Sequence, residues 1–195
     1  MTSKAASAAD VILTGETTAN YFGWSTTAGD YNGDGVDDVA VAAWGYSSNT
    51  GRAYVFYGGS MVSEAASGAD AIFTGQATGN YFGDTLATGD FNADGKDDLV
   101  VEAHGYVTNT GRVYTFYGGS MTSKNAASAD VIMTGESTGD LFGYGLGVGD
   151  LNADGKDDLL VGAIGYSTYT GRAYIFYSQS GQVNLGTHIT GATAG

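Results

Sequence analysis

Three acidic loops carry the residues whose types and spacing indicate the clearest chemistry. The loops span 30–38, 90–98 and 150–158, and each fits the pattern D-x-N-x-D-G-x-x-D. Oxygen side chains at loop positions one, three and five, glycine at six, a backbone carbonyl at seven and a carboxylate at nine form a shell for a hard cation. Calcium suits this shell because it accepts several oxygen ligands in flexible geometry, whereas magnesium demands a tighter octahedron. We therefore predict calcium, about three ions per chain, at Asp30, Asn32, Asp34, Val36 and Asp38; Asp90, Asn92, Asp94, Lys96 and Asp98; Asp150, Asn152, Asp154, Lys156 and Asp158.

These loops differ from an EF-hand, which requires a bidentate glutamate at position twelve. Val41, Val101 and Val161 occupy that position here. With three carboxylates per site we expect affinities on the order of 10⁻⁵ to 10⁻³ M and a structural role, so that calcium raises the melting temperature. The alternative is an Asx-rich hairpin loop without a metal. The aspartates at position eight are expected to face solvent or to cap the loop; they are Asp37, Asp97 and Asp157.

The loops recur because the chain consists of three copies of a unit of about 60 residues, the first two of which are about 60% identical. Short runs rich in Val, Ile, Tyr and Phe, separated by Gly, Asn and Asp, predict strands and not helices. The first copy has four such runs, near 22–28, 39–43, 53–57 and 70–74, with a tight turn at Asn49-Thr50-Gly51. Four antiparallel strands repeated radially are the unit of a β-propeller. We predict an all-β chain, a single propeller segment over 1–195 with blades at about 22–75, 82–135 and 142–191.

Three blades are too few to close a ring, since propellers have four to eight. Our preferred interpretation is a homodimer in which two chains meet head to tail and form six blades; the rival is truncation from a longer propeller. Residues 9–15 resemble an extra outer strand that belongs to a preceding blade, and the tail at 182–191 could supply the last blade's own fourth strand. We expect only one of the two segments to occupy that edge.

The composition limits the partners of the chain. A formal charge of -14 and a pI near 4.1 oppose binding to nucleic acid. The first residues lack the apolar run of a signal peptide, and no stretch reaches the 18 or so apolar residues of a membrane span. We therefore expect no membrane insertion, and either a mature chain or a piece of a longer one.

The repeated motif also resembles a known family. Phe22-Gly23, the loop at 30–38 and the following Asp38-Val39-Ala40-Val41 are similar to the FG-GAP repeat of integrin α-chain propellers and many bacterial surface proteins. The resemblance covers essentially the whole chain. It implies a propeller of usually seven blades, calcium between the first and second strands, an extracellular or cell-surface location, and roles in adhesion or ligand binding. The chain departs from the family in two ways. The Gly-Ala-Pro segment is absent, and 42–44 and its copies stand in its place. The chain has three blades and not seven, so an integrin-type heterodimer or ligand face is not inferred for it.

Other chemistry has weaker support. His104 and His188 occupy unrelated repeat positions, and no Gly-x-Ser-x-Gly elbow is present, so we predict no catalytic site and no zinc cluster. The repeated arginines are expected to pair with a neighbouring blade's carboxylate in preference to a ligand; they are Arg52, Arg112 and Arg172.

A second set of residues could bind a ligand. One repeat position varies between copies, which favours either a binding surface or a tolerant loop. A tyrosine follows it two residues later in every copy, which favours either stacking on sugars or packing between blades. The candidates are Trp44, Tyr46, His104, Tyr106 and Tyr166. The sequence thus predicts a non-catalytic, calcium-stabilised propeller for adhesion, ligand binding or scaffolding, with a protein or glycan ligand. The alternatives are a lectin and an engineered repeat protein without a ligand.

Overall fold

The structure is a computed structural model that describes residues 4–119 and 121–179 and the backbone of two strands at 182–183 and 188–190. Strands dominate these residues. In chain order they are β1 Leu13–Thr14, β2 Thr26–Gly29, β3 Asp38–Ala43, β4 Arg52–Phe56, β5 Glu64–Ala65, β6 Ala71–Thr74, β7 Leu86–Gly89, β8 Asp98–Ala103, β9 Arg112–Phe116, β10 Lys124–Asn125, β11 Val131–Thr134, β12 Phe142–Gly149, β13 Asp158–Ala163, β14 Arg172–Phe176, β15 Ser178–Gln179, β16 Gln182–Val183 and β17 His188–Thr190.

Three antiparallel four-stranded sheets form three propeller blades. Their orders, from outer to inner strand, are β6-β4-β3-β2, β11-β9-β8-β7 and β17-β14-β13-β12. The inner strands of neighbouring blades meet, and Thr27 Oγ1 lies 2.8 Å from Thr88 Oγ1. The predicted fold class of four-stranded blades, three per chain, is confirmed. The first strand of blade one was placed too early, because Tyr21 and Gly23 adopt positive φ and the strand begins only at Thr26.

Alternating residues of each blade pack against the two neighbouring blades. In β8, Leu99 and Val101 join the core shared with blade one, whereas Val100 joins the core shared with blade three. The first core also contains Tyr31 and Phe73 of blade one. This alternation is the period-two pattern of a strand buried on both faces, and it explains why the second strands are nearly continuous apolar runs.

The two end faces of the arc differ from the interior. On blade one, the outward Tyr54 and Phe56 are covered by the chain's own Leu13, Phe22 and Met61. On blade three, Leu151 is 48% exposed. The equivalent residues of blades one and two are Tyr31, 0% exposed, and Phe91, 3% exposed. Blade three therefore presents an apolar position that a following blade covers elsewhere in the chain.

The two terminal segments occupy opposite ends of the arc. β1 pairs in parallel with β5, as β6 pairs with β10, so β1 stands where the fourth strand of a preceding blade would lie. β17 pairs antiparallel with β14 and completes blade three. The prediction that the tail supplies this fourth strand is confirmed for 188–190; 184–187 and 191 lie outside the described residues.

The connection between the second and third strands is longer than predicted. It spans 44–51 and contains one short helical turn, α1 Tyr46–Asn49, repeated as α2 Tyr106–Asn109 and α3 Tyr166–Tyr169. Ser47, Ser48 and Asn49 have φ of 48°, 56° and 64°, which is left-handed. The tight turn at 49–51 is therefore wrong in length, although Gly51 does adopt positive φ, at 82°. The turn delivers backbone carbonyls to the next blade, since Asn49 O accepts a 2.9 Å hydrogen bond from Tyr81 N.

Candidate metal centres

Each acidic loop joins the first and second strands of its blade, as the sequence predicts. The loops follow β2, β7 and β12 and lie at one edge of the arc. In the first loop Gly33 and Gly35 have φ of 81° and 85°. Such left-handed residues fold the loop backbone tightly.

The position-one carboxylate holds the loop together. Asp30 Oδ1 accepts hydrogen bonds from Gly33 N at 2.7 Å and Asp34 N at 3.0 Å, and its Oδ2 accepts one from Gly35 N at 2.8 Å. Asp90 and Asp150 repeat the last two of these three hydrogen bonds. An ionised carboxylate has about four lone-pair sites, so capacity for an ion remains after these bonds.

The position-nine carboxylate is the buried part of the site. Asp38, Asp98 and Asp158 are all fully buried. Asp38 accepts hydrogen bonds from Tyr31 N at 3.0 Å and Gly58 N at 2.7 Å. Burial raises the pKa of the Asp38 carboxyl above its usual range and that of Asp98 to about 7. Three loops thus place a carboxylate out of solvent among backbone N–H groups, and a cation would stabilise the charged form.

Positions three and five complete an oxygen-only donor set. Asn32 Oδ1 accepts from Asp34 N at 2.7 Å, and Asp34 Oδ1 accepts from Val36 N at 2.9 Å. Among the residues that the structure describes, no loop brings three carboxylate oxygens within 4.8 Å of one another. The donor chemistry fits calcium, but the carboxylates are arranged around the loop backbone and not around a common point.

Position eight connects neighbouring loops. Asp97 Oδ2 accepts a 2.9 Å hydrogen bond from Asp30 N, and Asp157 Oδ2 accepts a 3.1 Å bond from Asp90 N. The expectation that these two aspartates face solvent or cap their own loop is therefore wrong. Only a glycine fits at position 29, because a Cβ there would lie 2.6 Å from Asp97 Oδ2. Asp37, which has no preceding loop within the described residues, is exposed.

The predicted ligand-binding tyrosines lie near the opposite ends of the strands, under the repeated arginines. The guanidinium carbons of Arg52, Arg112 and Arg172 are 3.7, 3.5 and 3.5 Å from the ring centroids of the tyrosines six residues earlier, Tyr46, Tyr106 and Tyr166.

The arginines also reach the segment that follows the preceding fourth strand. Arg52 pairs with Glu16 at 2.9 Å and Arg172 with Glu136 at 2.9 Å, whereas Arg112 donates to Gln76 at 3.1 Å. The predicted salt bridges are confirmed for Arg52 and Arg172. The middle contact is a neutral hydrogen bond because glutamine replaces glutamate.

Trp44 and His104 belong to a row of rings that crosses the blades. Trp44 stacks on Tyr21 with centroids 4.4 Å apart and lies 5.5 Å from Tyr81. His104 also contacts Tyr81, by stacking with ring centroids 5.0 Å apart, and it meets the ring of Tyr144 edge-on with centroids 5.4 Å apart. We call these five residues the aromatic row. Beside Trp44 it lines a cleft of about 500 Å³ together with polar residues, Asn20, Ser47, Ser48 and Asn49.

A cluster that sequence reasoning missed lies beside the aromatic row. Ligand atoms of Asp84, Glu102 and His104 fall within 4.8 Å of one another. This cluster occurs in the middle copy alone, so the pattern shared by all three copies does not reveal it. The signal was present in the repeat alignment: the other copies have Trp24, Ala42 and Trp44, or Tyr144, Gly162 and Ile164.

Comparison with known proteins identifies the repeated unit. A family model described as FG-GAP repeat matches residues 22–56, 82–116 and 142–176. The chain is 33% identical over 174 residues to the phosphatidylinositol-glycan-specific phospholipase D of Bos taurus, covering 81% of this chain and 21% of that protein. It is 34% identical over 170 residues to integrin alpha-PS2 of Drosophila melanogaster, covering 81% and 12%. It is 35% identical over 166 residues to integrin alpha-IIb of Mus musculus, covering 80% and 16%. The chain thus spans about a fifth or less of the length of these relatives.

Within 4–119 and 121–179, no helix is long and apolar enough to cross a bilayer.

Proposed function

The chain belongs to the FG-GAP repeat family, and on that premise we propose that it is a non-catalytic, calcium-binding propeller module. The observation that carries the proposal is the buried carboxylate at position nine, repeated at Asp38, Asp98 and Asp158. A buried carboxylate surrounded by further acidic side chains destabilises the fold unless a cation compensates it. A bound calcium ion supplies two positive charges there and has no redox chemistry of its own.

The role of calcium in this proposal is structural. The predicted ligands, from Asp30 to Asp38 and their copies, all belong to short loops between rigid strands. The position-eight contacts extend any ordering of one loop to the next, because Asp97 and Asp157 bind the amides of Asp30 and Asp90. Calcium would therefore stabilise both the loops and the packing of blades.

Calorimetric titration of the metal-free protein tests the proposal directly. We expect about three ions per chain, at affinities on the order of 10⁻⁵ to 10⁻³ M, and a higher melting temperature with calcium. The variant D98N should lose one ion. The control is D10N, because Asp10 is exposed and paired with Lys4 away from the loops. An unchanged melting temperature after chelation, with no heat of calcium binding, contradicts the proposal.

We further propose that two chains close a six-bladed ring. Leu151 offers a half-exposed apolar position where blades one and two have buried aromatics. The position-eight hydrogen bond also has one donor and one acceptor left at the two ends of the arc. Asp30 N and Asp90 N each donate to an aspartate of the next blade. Asp150 is the equivalent donor position at one end, and the exposed Asp37 is the equivalent acceptor at the other. A monomer under all conditions favours the rival interpretation, a piece of a longer propeller.

The wider role that we propose is adhesion, ligand binding or scaffolding outside the cell or at its surface. Similarity to proteins named as integrin alpha subunits supports this role. The similarity to a phospholipase D covers 21% of that protein, so it supports a shared repeat module and not the activity in its name. Pull-down of purified extracellular matrix proteins with and without calcium tests the role.

Glycan binding is a second candidate, favoured by the cleft beside Trp44. Exposed Tyr21 and Trp24 border Trp44, and aromatic faces next to amide and hydroxyl groups are suited to sugar rings. A glycan array should then give hits that W44I removes; isoleucine is the residue at the equivalent position of blade three, Ile164. An array without hits would favour a repeat protein whose only function is assembly.

A further inference from the structure

The cluster of Asp84, Glu102 and His104 is built on one rigid hairpin. Glu102 and His104 are two residues apart at the end of β8 and therefore face the same side. Asp84 lies two residues before β7, and the backbones are joined on both sides of it: Gly83 N donates to Glu102 O at 2.8 Å, and Glu102 N donates to Thr85 O at 3.0 Å. Sites held by paired strands keep their geometry better than sites on loops.

The polar atoms at the centre of the cluster lack hydrogen-bond partners. Glu102 is fully buried, and within the described residues neither of its carboxylate oxygens has a hydrogen-bond partner. His104 Nδ1 lies 3.1 Å from Glu102 Oε1 and 3.7 Å from Asp84 Oδ2, within ion-pair distance of both when the imidazole is protonated, but within the described residues neither contact has hydrogen-bond geometry. A buried carboxylate in this state is costly, and a cation held by all three side chains would compensate its charge.

The surroundings fix these side chains while leaving an entrance. The His104 ring is stacked on Tyr81 and contacted by the edge of Tyr144. A Cβ on Gly143 would lie 2.6 Å from Glu102 Cγ, so glycine at that position makes room for the glutamate. Asp84 and His104 are partly exposed, which gives an ion a path to the buried Glu102.

From this geometry we propose that Asp84, Glu102 and His104 form a second type of metal centre, for a divalent transition metal ion such as Zn²⁺. Tetrahedral zinc with ligands at about 2.0–2.1 Å separates its ligand atoms by about 3.3 Å, between the two nitrogen–oxygen distances in the cluster. The two carboxylates balance the charge of the ion. The imidazole favours zinc over calcium and magnesium, which take oxygen ligands, so the centre differs in kind from the loops.

The residues at these three positions differ from those of the other two copies, which supports the proposal that the cluster has a function of its own. All three positions differ from both other copies, and all three differences introduce a group that can ligate a metal. The other copies show that the blade accommodates non-ligating residues there, so packing does not require Asp, Glu and His. They also provide matched replacements for testing.

The test is a Zn²⁺ titration of the full chain with calcium held in excess, so that the acidic loops are already occupied. We expect one zinc ion per chain and a zinc-dependent rise in melting temperature. E102A and H104W, which introduce the residues of blade one, should abolish both. E102Q preserves side-chain volume and serves if E102A folds poorly. Substituting Co²⁺ should give visible absorption typical of a tetrahedral site with nitrogen ligation, and H104W should remove it.

Two controls separate this centre from other sites. H188Q removes the other histidine and should leave zinc binding intact. D98N weakens the proposed calcium loop of the same blade and should also leave it intact, so failure of the calcium proposal is distinguishable from failure of this one. Zinc binding that is absent in the wild type, or equal in the wild type, E102A and H104W, overturns the proposal.

Discussion

Leu151 provides the sharpest test of ring closure. Its equivalents Tyr31 and Phe91 are buried by the following blade, whereas Leu151 is 48% exposed because no blade follows it in the described residues. In a head-to-tail dimer, blade one of the partner would cover Leu151. The change L151D places a carboxylate at that position. We expect it to dissociate the dimer while leaving the single chain folded, because a surface substitution usually changes stability by about 0.5 kcal/mol or less.

The magnitude follows from the exposed fraction. Full burial of a leucine side chain contributes about 1.5–3 kcal/mol, so burial of the remaining half contributes about 1 kcal/mol. A two-fold ring contains this contact twice, which gives about 2 kcal/mol. Each unpartnered aspartate adds about 1–3 kcal/mol of desolvation cost. The total of about 4 kcal/mol or more corresponds to a dimer dissociation constant raised about a thousandfold or more.

The assay is sedimentation equilibrium with excess calcium over a wide concentration range, together with thermal melting. The control V107D introduces the same charge at a residue that is 58% exposed but lies in the connection between the second and third strands of the middle blade. Wild type and V107D should dimerise with the same constant. The reasoning is refuted if L151D dimerises as tightly as the wild type, or if V107D weakens the dimer equally.

Three further predictions concern stability. G51A should lower the unfolding free energy by more than about 3 kcal/mol, since its Cβ would lie 1.9 Å from Phe82 O. G59A, at a glycine with similar φ and open space around it, should lower it by only about 1 kcal/mol. Chemical denaturation measures both losses, and equal losses would contradict the account. Y169N should stabilise the fold by about 0.5–1 kcal/mol, because Tyr169 is left-handed and Asn is favoured there; a lower melting temperature would contradict it. Burial raises the pKa of Tyr114 from 10.0 to about 12, so the folded state holds the proton longer and Tyr114 should lower the unfolding free energy by about 2 kcal/mol as pH rises from 10 to 12. Y114F should reduce the fall by that amount, and an unchanged slope would count against it.

The blades and the acidic loops could be predicted because both depend on local patterns. Runs such as 38–43 are too short for helices and end at turn residues, and the repeat supplies three independent instances of each. The position of the loops between first and second strands followed from the same order of elements. These features are fixed within one unit and need no knowledge of its neighbours.

The features that could not be predicted depend on contacts between blades. Asp97 looked like a solvent-facing loop residue because its partner, the amide of Asp30, is 67 residues away. The left-handed turn at 47–49 runs against the preferences of Ser, and its strain is offset by hydrogen bonds to the next blade, including Gly79 N to Ser48 O at 3.3 Å. The close contact of Glu102 with Gly143 likewise involves a residue of another blade.

The position-eight contact links calcium to assembly. The loops at 30–38 and 90–98 are each contacted by an aspartate of the following blade, but no residue within the described chain plays that role for the loop at 150–158. In the six-bladed ring, the partner's Asp37 would accept from the amide of Asp150. Ring closure should therefore raise the calcium affinity of the third loop, and by linkage calcium should tighten the dimer by the same factor. If D37A has no effect on the calcium dependence of dimerisation, this coupling is wrong.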